Sequence, residues 1–173
     1  MEKPTGQTRV IIEGLKPEIN DGRFPTKRVT GEMVVVEADI FADGHDSISA
    51  LLLYRKEDDP EWIETPMEPL DNDRWRSSFV VAELWRYLYT VIAWVDQFKS
   101  WQQDLAKKFQ ASQEISIELV IGAQLIAEAS QRAPKSARQK MGEWASTLQS
   151  KQIAKQAKVQ LALSEELSEF MDK

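Results

Sequence analysis

The chain has 173 residues, no cysteine and a single histidine, His45. Without cysteine it has no disulfide, no thiolate ligand for a metal and no cysteine nucleophile. A Ser-His-Asp triad or a zinc site would have to use His45, and this residue follows the turn glycine Gly44. We therefore interpret His45 as a surface loop residue. The sequence predicts no catalytic residue, no metal site and no cofactor in this chain.

Long apolar runs and an excess of basic residues are missing as well. No apolar run approaches the roughly 18 residues that cross a membrane, and the N-terminus has no apolar signal-peptide core. The formal net charge is −6 and the pI is about 5.0. Since an acidic protein repels phosphate backbones, we predict neither a nucleic-acid nor a membrane partner. The absence of cysteine fits a reducing cytoplasm, where we expect the protein to be located.

Carboxylates are plentiful, but they gather where the chain turns. Glycoside chemistry needs two acids facing each other across a cleft, and an EF-hand calcium loop needs a glycine and a distal glutamate. The acidic tracts fit neither pattern, and the chain has no glycine-rich phosphate loop and no GxSxG motif. We interpret the following acids as solvated turn residues: Glu57, Asp58, Asp59, Glu61, Asp71 and Asp73.

Residues 8–105 have the two-residue period of β-strands. Glu32–Phe41 and Tyr87–Asp96 each place alternate apolar residues on one face. Ile48–Arg55 is apolar on both faces, as expected of a central strand, whereas the proline in Trp62–Met67 favours a sheet edge. Two further strands are predicted, Thr8–Glu13 and Arg74–Val80. Strands at about ten-residue spacing predict an immunoglobulin- or fibronectin-like β-sandwich.

After Leu105 the apolar residues follow the period of helices. They recur at helical spacing over residues 115–133, and Pro134 ends this first helix. A second apolar stripe on it, formed by Ile117, Ile121 and Leu125, predicts that it is covered on more than one side. Three more helices are predicted, at about Ser136–Leu148, at about Gln152–Leu161 and after the capping residue Ser164.

These periods together predict an α+β protein, mainly β and then α. We expect a β-sandwich domain over residues 1–110 and a helical bundle over residues 111–173.

Five of the six tryptophans lie between Trp62 and Trp101. Aromatic rings can stack on sugar rings, so one interpretation is a carbohydrate-binding surface, and the other is a core or an interface. Trp94 shares its strand face with Leu88 and Ile92, a stripe too apolar for a bare surface. This favours cover by the helices or by a partner over a ligand platform. The candidates for sugar stacking or an interface are Trp62, Trp94 and Trp101.

Several tracts, in order along the chain, resemble the N-terminal region of the bacterial maltosyltransferases. They are Arg9–Phe24, Glu37–Asp46, Met67–Phe79, Arg86–Phe98 and Trp101–Lys108. These enzymes extend α-1,4-glucans from α-maltose 1-phosphate and belong to the α-amylase superfamily. The resemblance is close over residues 9–120 and looser through the helices.

The resemblance implies a layout that the residues alone do not give. It implies a β-sandwich with a helical bundle inserted late in it, then a catalytic β/α barrel, and a homodimer to which both early domains contribute. The family's catalytic aspartate and glutamate lie on the barrel, beyond residue 173, so no catalytic residue is carried over. The implied role is a non-catalytic N-terminal region that supports and dimerises the enzyme. The alternative is a starch- or glycogen-binding module with α-glucan as its partner.

Overall fold

A computed structural model describes residues Val10–Met171. Within these residues the chain forms seven β-strands followed by five α-helices, which makes it a mixed α+β protein. Chain contacts divide it into two compact units, and the division falls between Asp96 and Gln97. We call them the sheet unit and the helical unit. The predicted first strand began at Thr8, and Thr8 and Arg9 lie outside the described residues.

The sheet unit contains two antiparallel sheets. One has the order β1-β2-β6-β5 and the other the order β4-β3-β7. Their strands are β1 (Val10–Lys16), β2 (Met33–Ala42), β3 (Ile48–Lys56), β4 (Ile63–Pro66), β5 (Glu68–Pro69), β6 (Arg74–Val80) and β7 (Tyr87–Val95). The predicted central position of β3 and edge position of β4 are confirmed, and only the two-residue strand β5 was not predicted.

One core fills the sheet unit and receives side chains from both sheets. Strand β2 contributes every second residue, because successive side chains of a strand point to opposite faces. The predicted inward stripe is therefore buried: Val34, Val36, Ala38 and Ile40. From the other sheet, Leu52 of β3 and Val91 of β7 are directly paired and enter the same core.

The helical unit contains the four predicted helices and one that the sequence analysis missed. Its helices are α1 (Gln97–Gln110), α2 (Ser116–Arg132), α3 (Lys135–Gln149), α4 (Lys155–Ala162) and α5 (Glu165–Met171). Ser164 caps α5 as predicted, because its Oγ accepts a 3.3 Å hydrogen bond from the backbone N–H of Leu167.

Helix α1 corrects the strand pattern predicted up to residue 105 and bears on the domain boundary predicted at residue 110. Its Phe98, Trp101 and Leu105 share one helical face, and all three are buried in the core of the helical unit. The boundary therefore moves to Gln97, because α1 belongs with the helices that cover this face.

The sequence analysis predicted that α2 is covered on more than one side. The described helices of this unit leave its second apolar side exposed. Ile117 is 71% exposed and Ile121 is also exposed, whereas Leu125 packs partly against the core. Because neighbouring helices bury only one side of α2, the other side keeps an apolar surface open to solvent.

A close contact between α1 and α2 determines how these two helices pack. Gly122 lies directly against the indole ring of Trp101, so that a Cβ atom at position 122 would overlap the ring. The Trp101 Nε1–H donates a 2.7 Å hydrogen bond to the backbone carbonyl of Glu118, one turn before Gly122. Only glycine therefore fits at position 122 without displacing the ring. The indole ring is held by its packing against α2 and by its hydrogen bond to the Glu118 carbonyl.

We expect Gly122→Ala to destabilise the protein by about 1–3 kcal/mol, because the added methyl group displaces a buried ring. Gly142→Ala is the matched control, since Gly142 lies within α3 and a Cβ there meets nothing within 4 Å. The control is expected to stabilise by about 0.5–1 kcal/mol through helix propensity. Urea unfolding of both variants measures the difference. Equal effects of the two substitutions would contradict the role of this contact.

The same pair of helices is joined by an ion pair between the Lys108 ammonium and the Glu118 carboxylate. Glu118 is buried, and the hydrogen bond from Lys108 holds its pKa below the ordinary value although burial acts in the opposite direction. The hydrogen bond to Glu118 likewise raises the pKa of Lys108. A lowered glutamate pKa contributes stability above about pH 4.3, which is lost as the pH falls through the folded-state value.

The pair should therefore stabilise the helical unit between about pH 4.3 and about pH 10.4, the ordinary pKa values of glutamate and lysine. We expect Glu118→Gln to lower the free energy of unfolding at pH 7. The gap from the parent protein should close as the pH falls from the ordinary glutamate pKa of about 4.3 through the lower folded-state pKa of Glu118, where the carboxylate becomes protonated. Glu128→Gln, on the exposed side of α2, is the control. A gap that persists unchanged in acid would contradict the ion pair.

Candidate functional site

The candidate tryptophans are positioned by the pairing of β3 with β7. In this register Ser49 lies opposite Trp94, Leu51 opposite Ile92 and Arg55 opposite Leu88. These residues alternate with the core residues of the same strands, so they form the outer face of the three-stranded sheet. Among residues Val10–Asp96, nothing covers this face at Ile92 and Trp94, which are both exposed.

Trp94 lies at one end of this outer face. Its side chain is 41% exposed, and the neighbouring polar contact is the 2.8 Å hydrogen bond from the Ser49 hydroxyl to Asp96. A sugar ring could therefore reach one side of the Trp94 indole and find polar groups nearby.

Trp62 lies near the other end, and one face of its ring is already occupied. The Arg55 guanidinium stacks over the indole at 4.8 Å from the ring centroid, while Trp62 remains 39% exposed. Arg55 and Ser49 are about 20 Å apart along β3, at about 3.3 Å per residue. The surface between the two tryptophans is largely aliphatic, with Leu51 and Leu53 on β3, although Glu64 and Thr90 are paired beside Leu53 on the same face. This composition fits protein packing better than binding of a hydroxyl-rich chain.

Trp101 does not belong to this surface. It lies on α1 and is 5% exposed, with the Phe98 ring tilted against it at 5.3 Å between ring centroids. As a candidate for sugar stacking it is excluded because both ring faces are packed inside the helical unit. The sequence placed it with the strands, since the aromatic tract runs without a break from β7 into α1.

Another exposed tryptophan of the same sequence cluster lies outside the outer face and was not among the three candidates. Trp85 is 55% exposed in the turn between β6 and β7, next to the exposed Leu84. The available signal was the apolar dipeptide Leu84-Trp85 between the predicted strands Arg74–Val80 and Tyr87–Asp96, where apolar side chains rarely find cover.

The structure brings no acid–base or metal site together within Val10–Met171. His45 is exposed after the turn glycine Gly44, as predicted. The turn acid Glu57 pairs with Arg86 at 3.2 Å. Across the same residues no group of three His, Cys, Asp or Glu side chains is placed to hold a metal ion.

Comparison with known proteins connects this architecture to one family. The sequence model described as alpha-1,4-glucan:maltose-1-phosphate maltosyltransferase, domain N/S, matches residues 8–173. The chain belongs to this family. The domain N/S match therefore spans both the sheet unit and the helical unit.

Curated relatives of the domain N/S family are named alpha-1,4-glucan:maltose-1-phosphate maltosyltransferase. The relative from Chlorobaculum tepidum is 47% identical over 128 residues, which is 74% of this chain and 19% of the relative. The relative from Methylacidiphilum infernorum is 35% identical over 168 residues, or 97% of this chain and 25% of the relative. The relative from Cereibacter sphaeroides is 48% identical over 118 residues, 68% of this chain and 18% of the relative. The chain thus spans about a fifth to a quarter of their length.

Among the described helices, none combines the length and the apolarity needed to cross a membrane.

The three candidate tryptophans should differ in their access to a quencher. We expect Trp62→Phe and Trp94→Phe each to reduce the fraction of fluorescence that acrylamide quenches, because both rings are partly exposed. Trp101→Phe should leave the quenchable signal unchanged and so raise that fraction, since the ring it removes is buried. Stern–Volmer titration of the three variants checks this. A loss of quenchable signal in Trp101→Phe would contradict the packing of α1.

Proposed function

We propose that residues 1–173 form the non-catalytic N-terminal region of an enzyme that extends α-1,4-glucans from α-maltose 1-phosphate. The observation that carries the proposal is the domain N/S match, together with relatives that bear this enzyme's name and extend far beyond the matched part. The chemistry is assigned to the remaining polypeptide, a catalytic β/α barrel. We place the enzyme in the cytoplasm, because a charged sugar phosphate does not cross a membrane unaided.

The proposal includes a specific architecture for each unit. The two sheets with their common core support an immunoglobulin-like β-sandwich. The common core of α1, α2, α3, α4 and α5 supports a helical bundle. Both units serve as a rigid support for the barrel.

The role of this support includes homodimerisation. Exposed apolar side chains on each unit are the surfaces that a partner subunit would cover. On the sheet unit they are Ile92 and Trp94, and on α2 they are Ile117, Val120 and Ile121. We assign the dimer interface to these two surfaces.

The isolated chain should release no phosphate from α-maltose 1-phosphate in the presence of glucan, whereas the full-length protein should do so. The reason is that the proposed catalytic aspartate and glutamate lie outside residues 1–173. A phosphate-release assay on equal molar amounts measures the difference. Turnover by the chain alone would refute the assignment of chemistry to the barrel.

Dimerisation is tested by placing a charge in the apolar surface of α2. Ile117→Lys in the full-length protein should weaken the dimer by about tenfold or more, because a buried unpaired ammonium costs several kcal/mol. Gln160→Lys, exposed on α4, adds the same charge elsewhere and should leave the dimer intact. Sedimentation equilibrium gives the dissociation constants. A monomeric full-length protein, or equal effects of both substitutions, would overturn the role of α2.

The second candidate function is a starch- or glycogen-binding surface. The partial exposure of Trp62 and Trp94 favours it, while the aliphatic surface between them and the stacked Arg55 count against it. Under this alternative, millimolar maltooligosaccharide shifts the tryptophan fluorescence, and Trp62→Ala or Trp94→Ala abolishes the shift. Under our main proposal the spectrum does not change. Trp85→Ala serves as the control.

A further inference from the structure

A large cleft opens at one end of the sheet unit, and its lining includes Leu88 at the end of the outer face described above. Its volume is about 890 Å³. The floor is aromatic, because Phe79 lies 6.0 Å from Tyr87 and 5.9 Å from Tyr89 between ring centroids. One wall is the segment between β1 and β2, which the Tyr89 hydroxyl holds by donating to the backbone carbonyl of Pro17.

The rim of this cleft is strongly basic in a chain whose net charge is −6. The basic residues on the lining are Arg23, Lys27, Arg28 and Arg86, against the single carboxylate Glu18. Two of these cations are already paired within the sheet unit, Arg28 with Glu32 at 3.3 Å and Arg86 with Glu57 at 3.2 Å. Within Val10–Met171 the structure gives no ion pair to the other two. The cleft therefore favours an anionic occupant.

Exposed apolar side chains accompany these cations. Phe24 is 57% exposed on one side of the cleft, and Trp85 is similarly exposed on the other side. Val29 is exposed beside Arg28. Aromatic residues and arginine are the residue types enriched in the buried centres of protein–protein interfaces. A small sugar phosphate would satisfy the cations but would leave most of this apolar rim in water.

We propose that this cleft docks an acidic, partly apolar surface of the same polypeptide, from the part that lies outside residues 1–173. The inference rests on the proposed function, which supplies that polypeptide. Two observations favour this occupant. The curated relatives are four to five times longer than the part they share with this chain, and the basic rim is complementary to an acidic surface. The docking fixes the orientation of the sheet unit relative to the rest of the enzyme.

The first test measures the reactivity of Lys27 towards acetic anhydride in the full-length protein, by mass spectrometry. Lys151, exposed between α3 and α4, is the internal control. If the cleft is occupied, Lys27 reacts about tenfold more slowly than Lys151. At about 1 M salt, where the Debye length falls to about 3 Å, the rate of Lys27 rises while that of Lys151 does not. Equal rates at low salt would overturn the inference.

The second test reverses one charge on the rim. Lys27→Glu in the full-length protein should increase the hydroxyl-radical labelling of Trp85, because an acidic surface is repelled and the cleft opens. Lys151→Glu should leave this labelling unchanged. Both lysines are exposed, so neither substitution removes a core side chain. Unchanged labelling of Trp85 in Lys27→Glu would contradict docking by charge complementarity.

The outcomes separate this inference from the proposed function. If the full-length protein releases phosphate but Lys27 is as reactive as Lys151, the docking is refuted and the proposed function stands. If the gene encodes no further polypeptide, the proposed function fails first. If Lys27 is protected only after glucose 1-phosphate is added, the cleft is a ligand site, and the inference is overturned in favour of a small anion.

Discussion

The two-residue period of β3, held by its continuous pairing with β7, is the constraint on which the sheet unit depends. Because side chains alternate across a strand, one register places Leu52 and Val91 in the core and Leu51 and Ile92 on the outer face. A slip by one residue would exchange the two sets. The apolar outer face is therefore a fixed consequence of the same pairing that forms the core.

A different constraint governs the helical unit, where the absence of one side chain decides the packing. Gly122 allows the indole of Trp101 to lie against α2, and the indole N–H then finds a backbone carbonyl at 2.7 Å. Interiors are close-packed, so a contact of this kind fixes how two helices pack against each other. The buried carboxylate of Glu118 is tolerable next to it because Lys108 supplies an opposite charge.

The two units differ in the surfaces that they leave exposed to solvent. In the sheet unit the exposed surfaces are an apolar face with tryptophans near its ends and a cleft with a basic rim. In the helical unit the exposed apolar surface is one side of α2, beginning at Ile117. None of these surfaces carries a group of residues suited to bond cleavage. Their composition matches what proteins use to contact other proteins.

Much of the fold follows from local sequence. Strand β6 agrees with its predicted bounds, and α2 begins and ends within one residue of the prediction, because period, turn residues and proline act over short distances. Helix α1 was missed although Phe98, Trp101 and Leu105 have helical spacing. The preceding strand β7 is equally aromatic, and the change of period is short. Short apolar segments remain ambiguous between strand and helix until their packing partner is known.

By itself the sequence determined the order of the elements other than β5 and α1, the buried stripe of β2, the cap at Ser164, the exposed position of His45 and the resemblance to the maltosyltransferases. These depend on residues that are neighbours along the chain. Only the tertiary structure decided that Trp101 is buried, that Arg55 occupies one face of Trp62, and that Arg23 and Trp85 flank one cleft. Those facts depend on which distant residues meet, and side-chain contacts between distant segments are set by packing rather than by local period.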